Sequence, residues 1–322
     1  MPSQTSQSKP RVIKLPGQRR RGLATAVRKL HPLHSSPLPA SRTPKSHIRV
    51  VCISDTHNTQ PDLPSGDVLI HAGDLTENGS FDEVQEQLTW LSSQPHQYKL
   101  AIAGNHDVLL DAAFLERYPE RRYGQDKTMQ DLEWGSVHYL RDSSITLSFP
   151  SDDNRRLEAR SLTVYGSPWT PRYGVSAFQY PRDQDVWADR IPATADVVIV
   201  HGPPRLHLDT RDFYRAGCQF LAQEVARVRP RLVVFGHIHV SYGREDVVLD
   251  GTQRAYEEIM ADWPAWGMLV WMAAQVLFAR VYSVFRSRER ALKTEKFTTF
   301  VNASVVAGPE NKLVNQPIVV EL

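Results

Sequence analysis

Short apolar runs separated by polar breaks recur between residues 48 and 239, and five of them end in the same kind of residue. Ile48 to Ile53 leads into Asp55 and His57, Val68 to Ile70 into His71 and Gly73-Asp74, and Leu100 to Ala103 into Gly104-Asn105-His106-Asp107. Further on, Val197 to Val200 ends at His201-Gly202, and Leu232 to Phe235 ends at Gly236-His237-Ile238-His239. Continuous Val/Ile/Leu runs of this length predict strands buried on both faces of an α/β sheet, where ligands bind beyond the carboxyl ends of the strands. The five run ends are therefore expected to converge on one site.

Helical spacing fills the gaps between runs. Ser80-Phe81-Asp82-Glu83 has the form of a capping box, with Phe81, Val84, Leu88 and Leu91 following on one face. Tyr214, Cys218, Leu221, Val225 and Val228 repeat the spacing, and Pro230 stops it. Alternating stretches at Ile145–Phe149, Leu162–Tyr165, Phe297–Val301 and Ile318–Val320 predict a second sheet. One segment breaks the pattern. Within about 256–290, Trp266 to Ala279 is apolar apart from Gln275, and Arg280, Arg286, Arg288 and Arg290 follow. That run is shorter than the roughly 20 residues a membrane span needs, so it predicts a helical insertion packed on the domain or lying at a membrane or partner interface, with a true span as the remaining alternative. The face expected to meet an anionic lipid surface is Trp266, Leu269, Val270, Ala273, Val276 and Leu277.

At 322 residues with 41% hydrophobic content, the chain can build a sizeable core. Its net charge of +2 hides an asymmetry: residues 1–47 hold ten Lys or Arg and no acid, which leaves −8 for the rest. This Ser- and Pro-rich stretch reads as a disordered basic N-terminal arm ahead of a domain over 48–322. An Arg-rich, acid-free start also fits an organellar transit peptide, whereas no apolar segment of secretory length follows the first charges. Cys52 and Cys218 are spaced for neither a metal site nor a disulfide framework, which favours a reducing, intracellular compartment. Cytoplasm is the expected location, with mitochondrial or peripheral membrane placement as alternatives.

The chemistry lies at the run ends. Asp-x-His alone, a lone His-Gly or a lone Gly-Asp is a common turn signal. Together they supply seven candidate ligands (Asp55, His57, Asp74, Asn105, His201, His237 and His239) without a thiolate, a set that suits Mn, Fe or Zn. Seven ligands are about what two ions sharing a carboxylate require. Such a pair can clamp both oxygens of an in-line phosphoryl displacement and generate hydroxide from a bound water near neutral pH. His71, His207, Arg172, Arg205 and Arg211 are weaker candidates: the first for a supporting role, the others for substrate contact.

In this order, D-x-H, G-D, G-N-H-D, H and G-H-x-H resemble the blocks of the calcineurin-like metallophosphoesterase family across Asp55 to His239. Tyr165-Gly166-Ser167-Pro168-Trp169, His201-Gly202-Pro203-Pro204 and Phe300-Val301-Asn302-Ala303-Ser304 look like its metallophosphoesterase-domain-containing, fetal-brain-type branch. The resemblance implies a four-layer α/β-β-α sandwich, two mixed sheets face to face and flanked by helices. It implies one divalent or trivalent transition-metal ion among Asp55, His57, Asp74 and His239, and a second among Asp74, Asn105, His201 and His237, with Asp74 bridging. His106 would stay free to meet the phosphate or the leaving oxygen, and Asp107 would orient it. The expected reaction is hydrolysis of a phosphodiester, a cyclic nucleotide included, or of a small phosphomonoester. A membrane-associated scaffold that kept the fold is the competing class. Protein phosphatase activity is disfavoured, because Asp74 runs into Leu75-Thr76-Glu77-Asn78-Gly79 where that branch carries Asp-Arg-Gly. No specific nucleic-acid groove is expected, and the insertion is the expected point of any peripheral membrane contact.

Overall fold

The computed structural model describes residues 25–30, 48–150, 160–212, 214–260, 266–285 and 297–322. Its tertiary contacts define two units, Leu38–Leu249 with Thr294–Leu322, and Met1–Pro37 with Asp250–Lys293.

The larger unit is built on two sheets. In chain order their strands are β1 (Arg49–Ile53), β2 (Val68–Ala72), β3 (Tyr98–Ile102), β4 (Val137–Tyr139), β5 (Ser143–Phe149) and β6 (Arg160–Ser167). They continue as β7 (Val197–Val200), β8 (Leu232–Phe235), β9 (Gly243–Val247), β10 (Thr298–Asn302) and β11 (Ile318–Glu321). The first sheet has the order β11-β1-β2-β3-β4, parallel except for β11, which pairs antiparallel with β1. The second has the order β9-β10-β8-β7-β6-β5, with β10, β8, β7 and β6 parallel and an antiparallel strand at each edge.

The pleat explains the unbroken apolar runs. Val50, Cys52, Val68, Ile70, Leu100 and Ile102 pack between the sheets against Leu162, Val164, Val197, Ile199, Leu232 and Val234. Their neighbours Val51, Ile53, Leu69 and Ala101 face the other way, onto helix α1 (Phe81–Ser93) through Phe81, Val84, Leu88 and Leu91. Val198, Val233, Phe235 and Phe300 likewise turn outward onto helix α2 (Gln219–Val228) through Leu221 and Val225. The result is an α/β-β-α sandwich in which both faces of each central strand are buried. Each fully buried Val, Leu or Ile stabilises it by about 1.5–3 kcal/mol. Gly166 lets the sheets close, because a Cβ there would sit 2.9 Å from Ile102 Cγ2 and overlap Leu140.

Three expectations need correcting. The five ligand-bearing strands do not share a sheet: β1, β2 and β3 belong to the first, β7 and β8 to the second. Ile318–Val320 joins the first sheet and not the second, filling the open edge of β1. Helix α2 starts at Gln219, while Tyr214 sits in a small hairpin paired with Arg211. The backbone before α2 is held extended by bonds from Ala216 N to Asp209 O (3.0 Å) and from Cys218 N to Pro203 O (2.9 Å). Cys218 is thus the helix cap, its Sγ accepting from Leu221 N at 3.4 Å.

The second unit holds helix α3 (Gly251–Met260), helix α4 (Trp266–Phe285) and a short helical stretch over 25–30. Val27, Ala255, Ile259 and Met272 form its core, with Leu30, Tyr256 and Leu269 packed against them. Residues 1–24 and 31–47 of the basic arm lie outside the described residues. Of the face expected to meet lipid, Val270 and Leu277 are exposed, whereas Val276 is buried with Met272 and Leu269 packs beside them. Among the described residues no helix is long and apolar enough to cross a membrane.

Candidate metal centre

The carboxyl ends of the two sheets meet where Ser54 N donates to Ala303 O (2.9 Å) and Val305 N to Ser54 O (3.0 Å). Beyond that seam each ligand-bearing strand turns sharply. Asp55, His57, Asp74 and His237 all have positive φ, between 44° and 67°. A non-glycine residue in the left-handed region costs about 1–3 kcal/mol, and several such residues at one place mark a site whose side chains are held where the relaxed chain would not put them. Two glycines make the close approach possible. A Cβ on Gly104 would overlap the Asp74 carboxylate, and one on Gly236 would overlap that of Asp55.

The expected ligands gather in two groups. Asp55, His57 and His239 can offer ligand atoms within 4.8 Å of one another, and so can Asp74, His201 and His237; a third set that meets the same distance, His57 with Glu77 and His106, shares His57 with the first. Asp74 stands between the groups, with Oδ2 3.1 Å from His201 Nε2 and 3.9 Å from His57 Nε2. Asn105 Oδ1 lies 3.1 Å from His201 Nε2 and so joins the second group. All seven expected ligands are thereby brought together.

Whether these residues fit a metal pair is decided by what they lack. Asp55 and Asp74 are buried (0% and 2% exposed), and among the described residues neither is paired with Lys or Arg. Buried carboxylates without a Lys or Arg partner are costly, and bound cations are a usual remedy. Both ring nitrogens of His57 are buried without a well-directed hydrogen bond, Nδ1 having only Glu77 Oε2 at 3.1 Å beside it. Residues and group fit.

Electrostatics tell the same story. Burial disfavours the charged form of Asp55, but the adjoining His239 outweighs it and holds the carboxyl well below its ordinary range; His201 does the same for Asp74. Burial also opposes a proton on His201, yet Asp74 pushes its pKa up to about 9. The rings of His57 and His237 are shifted down, His237 to about 3, by burial and, for His237, by the His201 charge. His201 Nδ1 faces Ala72 O at 2.9 Å, so the proton drawn toward Asp74 sits on the lone pair a metal would take.

His106 and Asp107 are adjacent in sequence and differ in role. The His106 Nδ1–H donates to the Glu77 carbonyl at 2.7 Å, which leaves Nε2 as the ring's free nitrogen, and the ring meets His57 edge-on at 4.7 Å. Burial opposes its protonation, but Asp74 and the Glu77 carbonyl raise its pKa above the ordinary value. Asp107 does not orient this ring. Its carboxylate accepts from Gly104 N (2.7 Å), Leu75 N (3.2 Å), Thr76 N (3.0 Å) and Thr76 Oγ1 (2.7 Å), tying the loop after β2 to the loop after β3. The expectation of an orienting carboxylate is corrected: Asp107 holds the backbone on which Asp74 and Asn105 stand.

The weaker candidates also find places. His71 is fully buried on β2, its Nε2 2.9 Å from Thr56 Oγ1, and supports the Asp55–His57 turn from below. His207 does not face a substrate. Its ring stacks on Phe300 at 3.8 Å, and its Nδ1 lies 2.8 Å from Glu245 Oε1. Arg172 and Arg211 are exposed.

Four partners escaped the sequence reading. Ser304 Oγ donates to Asp55 Oδ2 at 2.7 Å, and Glu77 Oε2 lies 3.1 Å from His57 Nδ1. Asn105 Nδ2 donates to Tyr173 OH at 2.9 Å and reaches Ser176 Oγ at 3.4 Å, which turns the amide oxygen toward His201. The Tyr173 ring packs edge-on against His237 at 4.9 Å. These contacts join residues far apart in the chain, and only Ser304 carried a signal, as the last residue of a quoted motif.

Buried carboxylates, imidazoles and one amide at the joined edges of two sheets form a candidate metal-binding site, and its family follows from the chain's relatives. A family model described as calcineurin-like phosphoesterase matches residues 48–241. The chain belongs to that family. It is 41% identical over 286 residues to a probable rhamnogalacturonate lyase C of Emericella nidulans, a match covering 87% of this chain and 25% of that protein. It is 39% identical over 237 residues to the human metallophosphoesterase domain-containing protein 1 (68% of this chain, 66% of that one). A UPF0046 protein of Caenorhabditis elegans is 36% identical over 211 residues (61% of this chain, 52% of that one). The chain thus spans a quarter to two thirds of the length of these relatives.

Proposed function

We propose that this protein is a dinuclear metal-dependent phosphoesterase acting on a phosphodiester or a small phosphomonoester. The observation that carries the reading is the position of Asp74: one buried carboxylate within 4 Å of an imidazole from each ligand group. Asp55, His57 and His239 would hold one ion, Asn105, His201 and His237 the other, with Asp74 shared. When bound, two such ions supply a nucleophile near neutral pH and stabilise charge on the phosphoryl oxygens. Mn, Fe and Zn suit the donor set.

The protein's own residues do the rest. His106, outside both ligand groups and anchored through Nδ1, presents Nε2 to the substrate; its raised pKa favours the protonated form, which can neutralise the phosphate or give a proton to the leaving oxygen. Ser304 and the His237 backbone N–H hold the Asp55 carboxylate, and Tyr173 holds the Asn105 amide, so neither ligand must reorganise on binding. The lyase activity in the name of the Emericella nidulans relative is not proposed here, since three quarters of that protein lies outside the match. Elemental analysis of the purified chain alongside turnover of an aryl phosphodiester tests the reading. About two transition-metal ions per chain and metal-dependent release of the phenol are expected; one ion or none after metal supplementation, with no turnover of mono- or diesters, would overturn it.

A further inference from the structure

The smaller unit has a surface that the phosphoester chemistry does not use. On helix α4, Val270, Trp271 and Leu277 are 69%, 44% and 65% exposed. With exposed Ala274 they occupy positions i, i+1, i+4 and i+7, an arc of roughly 120° on a helix of 3.6 residues per turn. The opposite side carries buried Met272 and Val276, with Leu269 packed beside them. This helix is therefore apolar on its exposed side as well as its packed side, which water alone does not favour.

Charge selects the occupant. The segments of this unit, 1–37 and 250–293, contain fourteen Lys or Arg against five Asp or Glu, a net +9. The whole chain is only +2, so the remainder carries −7. Four of those basic residues, Arg286, Arg288, Arg290 and Lys293, follow directly on the end of α4. A second copy of the chain would set a second +9 against the first. Nucleic acid would answer the charge but has no use for exposed aliphatic and aromatic side chains. An anionic lipid surface answers both, since acyl chains take the apolar stripe while headgroups attract the cations.

We infer that the unit built around α4 is a peripheral membrane anchor: α4 lies in the plane of an anionic bilayer, with Val270, Trp271 and Leu277 in the acyl boundary. The helix does not span, in keeping with its length and composition. The anchor holds the phosphoesterase at a lipid surface without taking part in its chemistry.

The test uses the full chain in co-sedimentation with vesicles of phosphatidylcholine alone and of phosphatidylcholine with about one third phosphatidylserine, at low and high salt. Binding to the phosphatidylserine vesicles only, weakened by salt, is expected. Val270→Ser with Leu277→Ser, both at well-exposed positions, should lower the partition coefficient about tenfold or more while metal content stays that of the wild type. Leu277→Trp should raise it, and this second variant keeps the test decisive if the first is poorly folded. Full binding by the serine variant would assign the effect to the basic arm and overturn the proposal. So would equal binding to neutral vesicles, no change with Leu277→Trp, or a concentration-dependent dimer in sedimentation velocity that the serine variant abolishes.

Discussion

The two halves of the metal centre are built alike, each with two buried residues and one partly exposed histidine, and differ in what surrounds them. In the Asp74 half, Asp74, Asn105 and His201 are all but inaccessible, His201 is anchored on Ala72 O, Tyr173 and Ser176 fix the Asn105 amide, and His237 is partly exposed. In the Asp55 half, Asp55 and His57 are buried, the His239 side chain is 21% exposed, and the Glu77 carboxylate beside His57 is 44% exposed. The Asp74 half, the more sealed by its neighbours, should release an ion more slowly; the Asp55 half, beside the exposed Glu77, is the more open and should exchange faster. His106, edge-on to His57, stands on the open side. A centre of this kind gets its rigidity from one wall and its access from the other.

Breaking the shared member should have the largest effect. Asp74→Asn should lower occupancy of both ions and reduce turnover roughly 10³-fold or more, as the loss of several kcal/mol of metal-derived stabilisation requires. Inductively coupled plasma analysis of mutant and wild type checks it; unchanged metal content would remove Asp74 from both ligand sets.

Substituting one half at a time sharpens the contrast. His201→Ala and His239→Ala should each cost about one ion per chain. In the wild-type protein, a chelator should strip the ions in two phases; His239→Ala should lack the fast phase and His201→Ala the slow one. A single phase in the wild type would mean that burial does not control release.

Next comes the residue that belongs to neither half. His106→Ala should leave metal content near normal and reduce turnover about 10²- to 10⁴-fold, the range for a positioned acid or base. Loss of metal in proportion to activity would make His106 a ligand instead. The smallest effect is expected at the sealed wall, where Tyr173→Phe removes the hydroxyl that accepts from Asn105 Nδ2. Affinity for the more tightly held ion should fall about tenfold, the lower end for partners of metal ligands. If the loosely held ion weakens instead, the assignment of the halves is reversed.

Much of this centre was legible because its ligands end strands. Strand burial writes an unbroken apolar run, and the first polar residues after such a run are forced to the sheet's edge, so Asp55, Asp74, Asn105, His201 and His237 stand out without any knowledge of the fold. Sheet membership was not legible, because a run buried on both faces carries no mark of its neighbour; β11 could fill the edge of either sheet. Asp107 was misread for a related reason. Adjacency to His106 suggested a pair, whereas its partners Leu75 and Thr76 lie more than thirty residues earlier and are bonded through backbone atoms that every residue has. Glu77, Tyr173 and Ser176 were missed because nothing in local spacing brings them to the site. On α4, an all-round apolar sequence offers no polar side to show which face packs, and Val276, expected on the lipid side with Val270, is buried beside Met272.

The left-handed turns at Asp55, His57, Asp74 and His237 bear on more than geometry. Four strained residues and two buried carboxylates without a Lys or Arg partner make the metal-free centre a weak spot in an otherwise well-packed sandwich. Ligands that bind only the folded form shift its equilibrium by mass action, by about 2.7 kcal/mol per site at a hundred times the dissociation constant. On the proposed function, the ions would be folding ligands as much as catalytic ones. Its abundance in a metal-starved cell should fall before its specific activity does, as unmetallated chains unfold and are degraded.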